Sequence, residues 1–173
     1  TDLLNCKKVL VPTASLISAR IANDIFYSPR LGGKIFSSSG LGAGFSLAEA
    51  TVHSASECIE RHAVRLAEIE LDNLNTSQRH FWFVDIESLP EIPLRIVNKY
   101  RKAGMCIRIL DVTSEIAVPT FYVRVFEDPF TAVTSTASDG FACHPDPEVA
   151  ITMALLEAAQ TKAGVIAVGR EDY

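Results

Sequence analysis

Glu57, Glu60 and Arg61 stand in the order Glu-Cys-Ile-Glu-Arg. On a helix, residues three and four apart share a face, so two carboxylates and a guanidinium project together there. Such a set is either a solvated ion pair, worth roughly 0.2–0.5 kcal/mol, or charge gathered for a ligand. One hundred residues on, Glu157 and Gln160 repeat the three-residue spacing. Their neighbours Val149, Ala150, Ile151, Met153, Ala154, Leu155, Leu156, Ala158 and Ala159 are apolar. A helix that is apolar nearly all round is predicted to be buried. A buried glutamate is costly unless it is paired or binds a cation. Arg61 is one candidate partner. A hard cation such as Mg²⁺, which takes a few carboxylates together with phosphate oxygens and water, is the other.

The two stretches echo each other more widely. Gly40 falls on Gly140, Ala50 on Ala150, Glu57 on Glu157 and Glu60 on Gln160. Each reads as a glycine, a loop, an N-cap and then a helix. Either two ordinary amphipathic helices coincide, or two related units face one another and supply acidic residues to one site. In the first, Ser46 is the N-cap with Glu49 completing a capping box, and the helix is expected to run to about Ile69. In the second, Asp146 is the N-cap, Pro147 takes the first helical position, and the helix is expected to end near Lys162.

The elements that position these helices follow from patterning. Strands are predicted at Lys8–Pro12, His80–Ile86, Met105–Val112 and Thr120–Phe126, with a last one at Val165–Val168. A helix is predicted over Pro93–Ala103, closed by Gly104 in a left-handed turn. The imperfect alternation of FYVRVF implies burial on both faces. Helices and strands are interspersed, so the fold class is α+β or mixed α/β, read as one domain over 1–173. A start at Thr1 and an end at Gly-Arg-Glu-Asp-Tyr suggest part of a longer domain.

Composition narrows the function. A chain of 173 residues, 48% apolar, can build a globular core. The net charge of −5 argues against a nucleic-acid partner held by bulk electrostatics. No apolar run reaches membrane-spanning length and the N-terminus has no secretory pattern, which points to the cytoplasm. Cys6, Cys58, Cys106 and Cys143 lie far apart, so they are not a zinc set. Cys58 and Cys106 read as small core residues. GLGAG only loosely resembles a dinucleotide loop, and no P-loop is present. His53 and His62, nine apart, do not share a helix face. HFWF reads as core rather than as a stacking platform.

The stretch SSSGLGAGFSLAEATVHSASECIERHA resembles the first signature of the YcaO family, especially members that make azole- and azoline-containing peptides. VPTFYVRVFEDPF and GFACHPDPEVAITMALLEAAQTKAGVIAVGREDY resemble the second half of the same domain. The resemblance implies ATP and Mg²⁺. Glu57, Glu60 and Glu157 would bind Mg²⁺, Arg61 would face the phosphates, and Gln160 would complete the metal–phosphate site, with His144 and Glu148 as further ATP contacts. It implies ATP-dependent activation of peptide backbone amides, giving azolines or thioamides, as in bacteriocin biosynthesis. Its implied partners are a precursor peptide or protein substrate, a protein for substrate recognition or sulfur delivery, and a second copy in a homodimer. His53 stands where many members have serine, and Lys162 where they often have arginine, which keeps the charge but loses the bidentate fork. The rival reading is a truncated, non-catalytic module that binds nucleotide or a partner.

Overall fold

The structure, a computed structural model, describes residues 27–28, 33–34, 39–72, 81–127 and 137–168. The chain divides into two compact units, Thr1–Leu41 and Gly42–Tyr173. In the first, β1 (Tyr27–Ser28) pairs antiparallel with β2 (Gly33–Lys34). The strand expected at Lys8–Pro12 lies outside the described residues.

The second unit begins with helix α1 (Leu47–Asp72). Its N-cap forms as the sequence indicates, with Ser46 Oγ accepting the Glu49 N–H at 3.2 Å, while Glu49 Oε2 reaches one residue past the N-cap to accept the Phe45 N–H at 2.8 Å. After β3 (Trp82–Phe83) and a 3₁₀ turn at Ile86–Ser88 comes α2 (Glu91–Lys102). Gly104 ends it with φ +75°, a conformation glycine adopts without steric cost. Then follow β4 (Met105–Asp111), β5 (Thr120–Glu127), β6 (Ser138–Cys143) and α3 (Pro147–Val168). Strands β3-β4-β5-β6 form one antiparallel sheet in chain order, so the fold is α+β.

The sheet carries a core on each face. Alternate residues of a strand point to opposite faces, and the register places Ile109, Phe121, Val123, Val125 and Ala142 on one side. There they pack with Val97 of α2 and with Ala150, Ile151, Ala154, Leu155 and Ala158 of α3. On the other side Leu110 and Tyr122 pack with Ala63, Val64 and Ala67 of α1. Thr120 to Val123 are buried in succession, which is the two-sided burial expected of FYVRVF. The Tyr100 hydroxyl of α2 donates to the Leu155 carbonyl of α3 at 2.8 Å, and Lys162 of α3 reaches Glu127 of β5 at 2.9 Å.

Several expectations are corrected. Val165–Val168 continues α3 instead of forming a strand, because helical hydrogen bonding carries on through β-branched residues. The Gly140 stretch is strand β6, whereas Gly40 sits in a turn, so the echo is one of helices and not of whole units. Residues 147–167 of α3 are long and apolar enough to cross a membrane by length and composition, an apolar run that Glu148, Glu157 and Lys162 interrupt in the sequence. Here one face of the helix packs on the sheet, while Met153 and Leu156 are exposed, so α3 is not buried all round. Cys58 is exposed and Cys106 half-buried; the buried thiol is Cys143. Trp82 and Phe83 are exposed as well, because β3 is a two-residue strand on the sheet's outer edge among the described residues.

Candidate functional site

The acidic residues meet at the free edge of β6. Strand β6 pairs with β5 on one side, and no strand covers its other side among the described residues. Helix α3 packs on one face of the sheet and α1 on the other, so each can send a side chain round this edge. From α3, Glu157 Oε2 accepts the main-chain N–H of Phe141 at 2.7 Å. From α1, Glu60 comes near the main-chain N–H of Cys143, which favours its anionic form. Glu57 stands one turn before Glu60, with Oε1 3.7 Å from Arg61 Nη2.

Three of the residues singled out by sequence act on one another electrostatically. The Glu60 carboxyl is pushed up to about 7. Burial is the largest cause; the negative charges of Glu157 and Glu57 add to it, while Arg61 and the Cys143 hydrogen bond oppose it. Glu157 itself is exposed and held by a main-chain donor. The expected burial of Glu157 is therefore corrected, and of the two candidate partners Arg61 pairs instead with Glu57 on its own helix.

The remaining candidates are dispersed. Gln160 lies on α3 three residues beyond Glu157 and is exposed. His144 Nδ1 accepts the Asp146 N–H at 3.0 Å in the turn between β6 and α3. Glu148 occupies the first turn of α3, where its N–H donates to the capping Asp146 Oδ1 at 2.9 Å. Its side chain faces a separate hollow of about 320 Å³ with Ile92, Val149 and Met153. His53 and His62 diverge as expected: the first lies 3.3 Å from the Ala43 carbonyl, the second 3.0 Å from Glu115.

A cavity of about 500 Å³ opens beside the acidic edge. Ala43, Val52, His53, Cys143, His144 and Met153 are among its walls. Cys143 belongs to both features, lining the cavity and bringing its N–H near Glu60. Burial pushes the Cys143 thiol up, and the Glu60 charge adds to the effect. Sequence reasoning missed Cys143, Phe141 and Met153 here. Two of them act through the main chain, which leaves no mark on residue type.

The donor set suits a hard cation. Burial, with the charges of Glu157 and Glu57 added to it, holds a proton on Glu60 to near neutrality, and a divalent ion would relieve the repulsive part. Among the described residues, no group of three or more His, Cys, Asp or Glu side chains is placed to hold a metal ion by itself. Mg²⁺ does not require one, since it commonly uses one or two carboxylates plus substrate phosphates.

The α+β fold of this unit is shared with solved heterocyclases. A heterocyclase in complex with substrate and cofactor superposes with TM-score 0.62 and 27% identity, over 77% of this chain and 17% of that one. YcaO from Methanopyrus kandleri, bound with AMPPCP and Mg²⁺, shares the fold with TM-score 0.53 and 20% identity, over 79% of this chain and 34% of that one. The family model for YcaO cyclodehydratase, ATP- and Mg²⁺-binding, matches residues 1–173, and this chain belongs to the YcaO family. An uncharacterised protein in the tfuA 3′ region of Rhizobium leguminosarum bv. trifolii is 31% identical over 142 residues, 79% of this chain and 33% of its own length. One from Methanothermobacter thermautotrophicus is 31% identical over 139 residues, 77% of this chain and 33% of its own. The chain thus spans about one third of the length of these relatives.

Proposed function

We propose that this chain is part of the nucleotide site of a cytoplasmic enzyme that uses ATP and Mg²⁺ to activate backbone amides of a peptide or protein. The observation that carries the reading is the convergence of Glu57, Glu60 and Glu157 at the β6 edge, next to a cavity large enough for a nucleotide. Glu57, Glu60 and Glu157 would hold Mg²⁺, which neutralises phosphate charge when bound. Arg61, mostly exposed beside Glu57, would turn its guanidinium to phosphate oxygens, and Gln160 would add a neutral contact. The cavity walled by Val52, His53, His144 and Met153 would take the nucleoside. Glu148 would contribute from the neighbouring hollow, reaching ligand only at its periphery.

The chemistry asks for little covalent participation by the protein. A Cys, Ser or Thr side chain of the substrate, or an external sulfide, adds to the amide carbon. The resulting oxyanion takes the γ-phosphoryl group of ATP, and ADP departs. Loss of phosphate then carries off the former amide oxygen and leaves the azoline or thioamide. Phosphoryl transfer of this kind rests on positioning and charge neutralisation, which carboxylate-held metal and arginine provide. The Rhizobium relative lies in a tfuA 3′ region, and a TfuA-like partner for this chain would favour the thioamide product. The retained acidic set favours an enzyme over a non-catalytic module. A partner protein for substrate recognition or sulfur delivery, and a homodimer, remain part of the proposal.

Calorimetric titration of the full-length protein with Mg·ATP tests the site. Glu57→Gln and Glu157→Gln should each weaken binding at least about tenfold. Parental affinity in both variants would remove these residues from the site.

A further inference from the structure

The outward edge of β6 carries more than a passive contact. Phe141 is paired in register with Tyr122, and Cys143 with Thr120, two residues further along the same strand. Residues two apart direct their N–H groups to the same side of a strand. The Phe141 N–H goes to Glu157 at 2.7 Å, away from β5, and Glu60 of α1 comes near the next outward N–H, that of Cys143. The outward edge of β6 therefore holds Glu157 of α3 directly, with Glu60 of α1 beside the following donor.

The distance at which α3 presents Glu157 is set next door. A Cβ built on Gly140 would run into the Ala154 carbonyl oxygen and the Ala158 nitrogen, and would stand 3.0 Å from the Ala158 Cα. All three are backbone atoms, so no rotamer change relieves the clash. Ala154 and Ala158 are fully buried, and Glu157 sits between them in sequence. Any residue larger than glycine at 140 must lift this turn of α3 off the sheet, and Glu157 with it.

We propose that the β6 edge is the positioning element of the cation site: the Phe141 N–H fixes Glu157, and Gly140 sets the height of Glu157. This rests on the nucleotide reading above. The Glu157 carboxylate gives one oxygen to a main-chain donor and keeps its remaining lone pairs for a cation, in one fixed orientation. Gly140 touches no ligand and acts only through Glu157.

Two measurements on the full-length protein test this. In hydrogen exchange without cation, Glu157→Ala should speed exchange of the Phe141 amide about tenfold or more while leaving the Cys143 amide unchanged, and Gly140→Ala should do the same. In titrations, Gly140→Ala should weaken Mg²⁺ binding in the presence of ATP by roughly 10–100-fold, the range for lost support of a ligand, with metal-free ATP affinity unchanged. Circular dichroism checks that the variant folds. If it does not, Phe141→Pro, which deletes the outward N–H of an edge strand where proline is tolerated, replaces it with the same expected loss of Mg²⁺ affinity. Parental binding combined with unchanged exchange and unchanged Mg²⁺ affinity in the variants would overturn the positioning role alone. Absence of Mg·ATP binding in the parent would bring down the nucleotide reading, and this inference with it.

Discussion

Glu60 answers to two opposed demands, and pH separates them. Burial and the charges of Glu157 and Glu57 favour its protonated form, while the Cys143 N–H and Arg61 favour the anion. The balance lifts it from 4.5 to about 7. A carboxyl raised in the folded state binds its proton more tightly there than in the unfolded chain. Its contribution to stability is thus fully present below the unfolded value and is lost as pH rises through the folded one. The metal-free protein should show an unfolding midpoint that falls between about pH 5 and pH 7.5, with that part of the slope removed in Glu60→Gln. Thermal denaturation across this window, followed by circular dichroism, reads the effect; identical slopes in parent and variant would contradict it. At this scale the sequence was informative about which side chains carry charge. It was silent about Cys143 and Phe141, whose contributions come from N–H groups that every non-proline residue owns.

Elements were legible where their ends carry chemistry. Ser46 with Glu49 marks the start of α1, Asp146 with Pro147 the start of α3, and Gly104 the stop after α2. Strand β6 escaped notice because Ser-Asp-Gly-Phe-Ala-Cys carries an Asp-Gly pair, an ordinary turn signal, at the point where tertiary contact demands glycine. The end of α3 was misread because Val-Ile-Ala-Val favours strands locally, while the helix was already nucleated and simply propagates. The burial of α3 was overestimated because apolarity all round does not reveal which stripe finds a partner. That stripe includes Leu155, fully buried against the sheet, whose carbonyl also receives the Tyr100 hydroxyl. Leu155→Ala should therefore cost about 2–5 kcal/mol, measured by urea unfolding. The exposed Leu156→Ala beside it should change stability by no more than about 0.5 kcal/mol; equal effects would mean that α3 is docked on a different face.

At the scale of the molecule, one sheet serves two cores, and the site lies where its last strand leaves both. Helices α1 and α3 meet their acidic residues only because β6 is thin enough to be reached from either face. This long-range juxtaposition was expected from the matching helices, and the charges of Glu157 and Glu57 do act on Glu60. It could not be deduced for Glu148, which the turn after β6 directs to another hollow. Occupation of the site ties the two helices together and should stabilise the whole fold by linkage, by about 2.7 kcal/mol at a hundredfold excess of ligand over its Kd. Differential scanning calorimetry of the full-length protein should show the transition rise with Mg·ATP, and the rise should vanish on addition of a chelator. A shift of equal size with the chelator present would detach nucleotide binding from the cation.

The caps on Phe141 and Cys143 also bear on solubility. An open strand edge with outward amides is a template on which another chain can add a strand, and proteins protect such edges with charge. Along β6 that protection is supplied by Glu157 and Glu60. A lineage that discarded the acidic pair because it no longer needed the cation would bare two adjacent donors at once, and self-association would follow from the same loss. The same glutamates that would serve the cation thus also guard the sheet edge against self-association, two demands met by one pair of side chains.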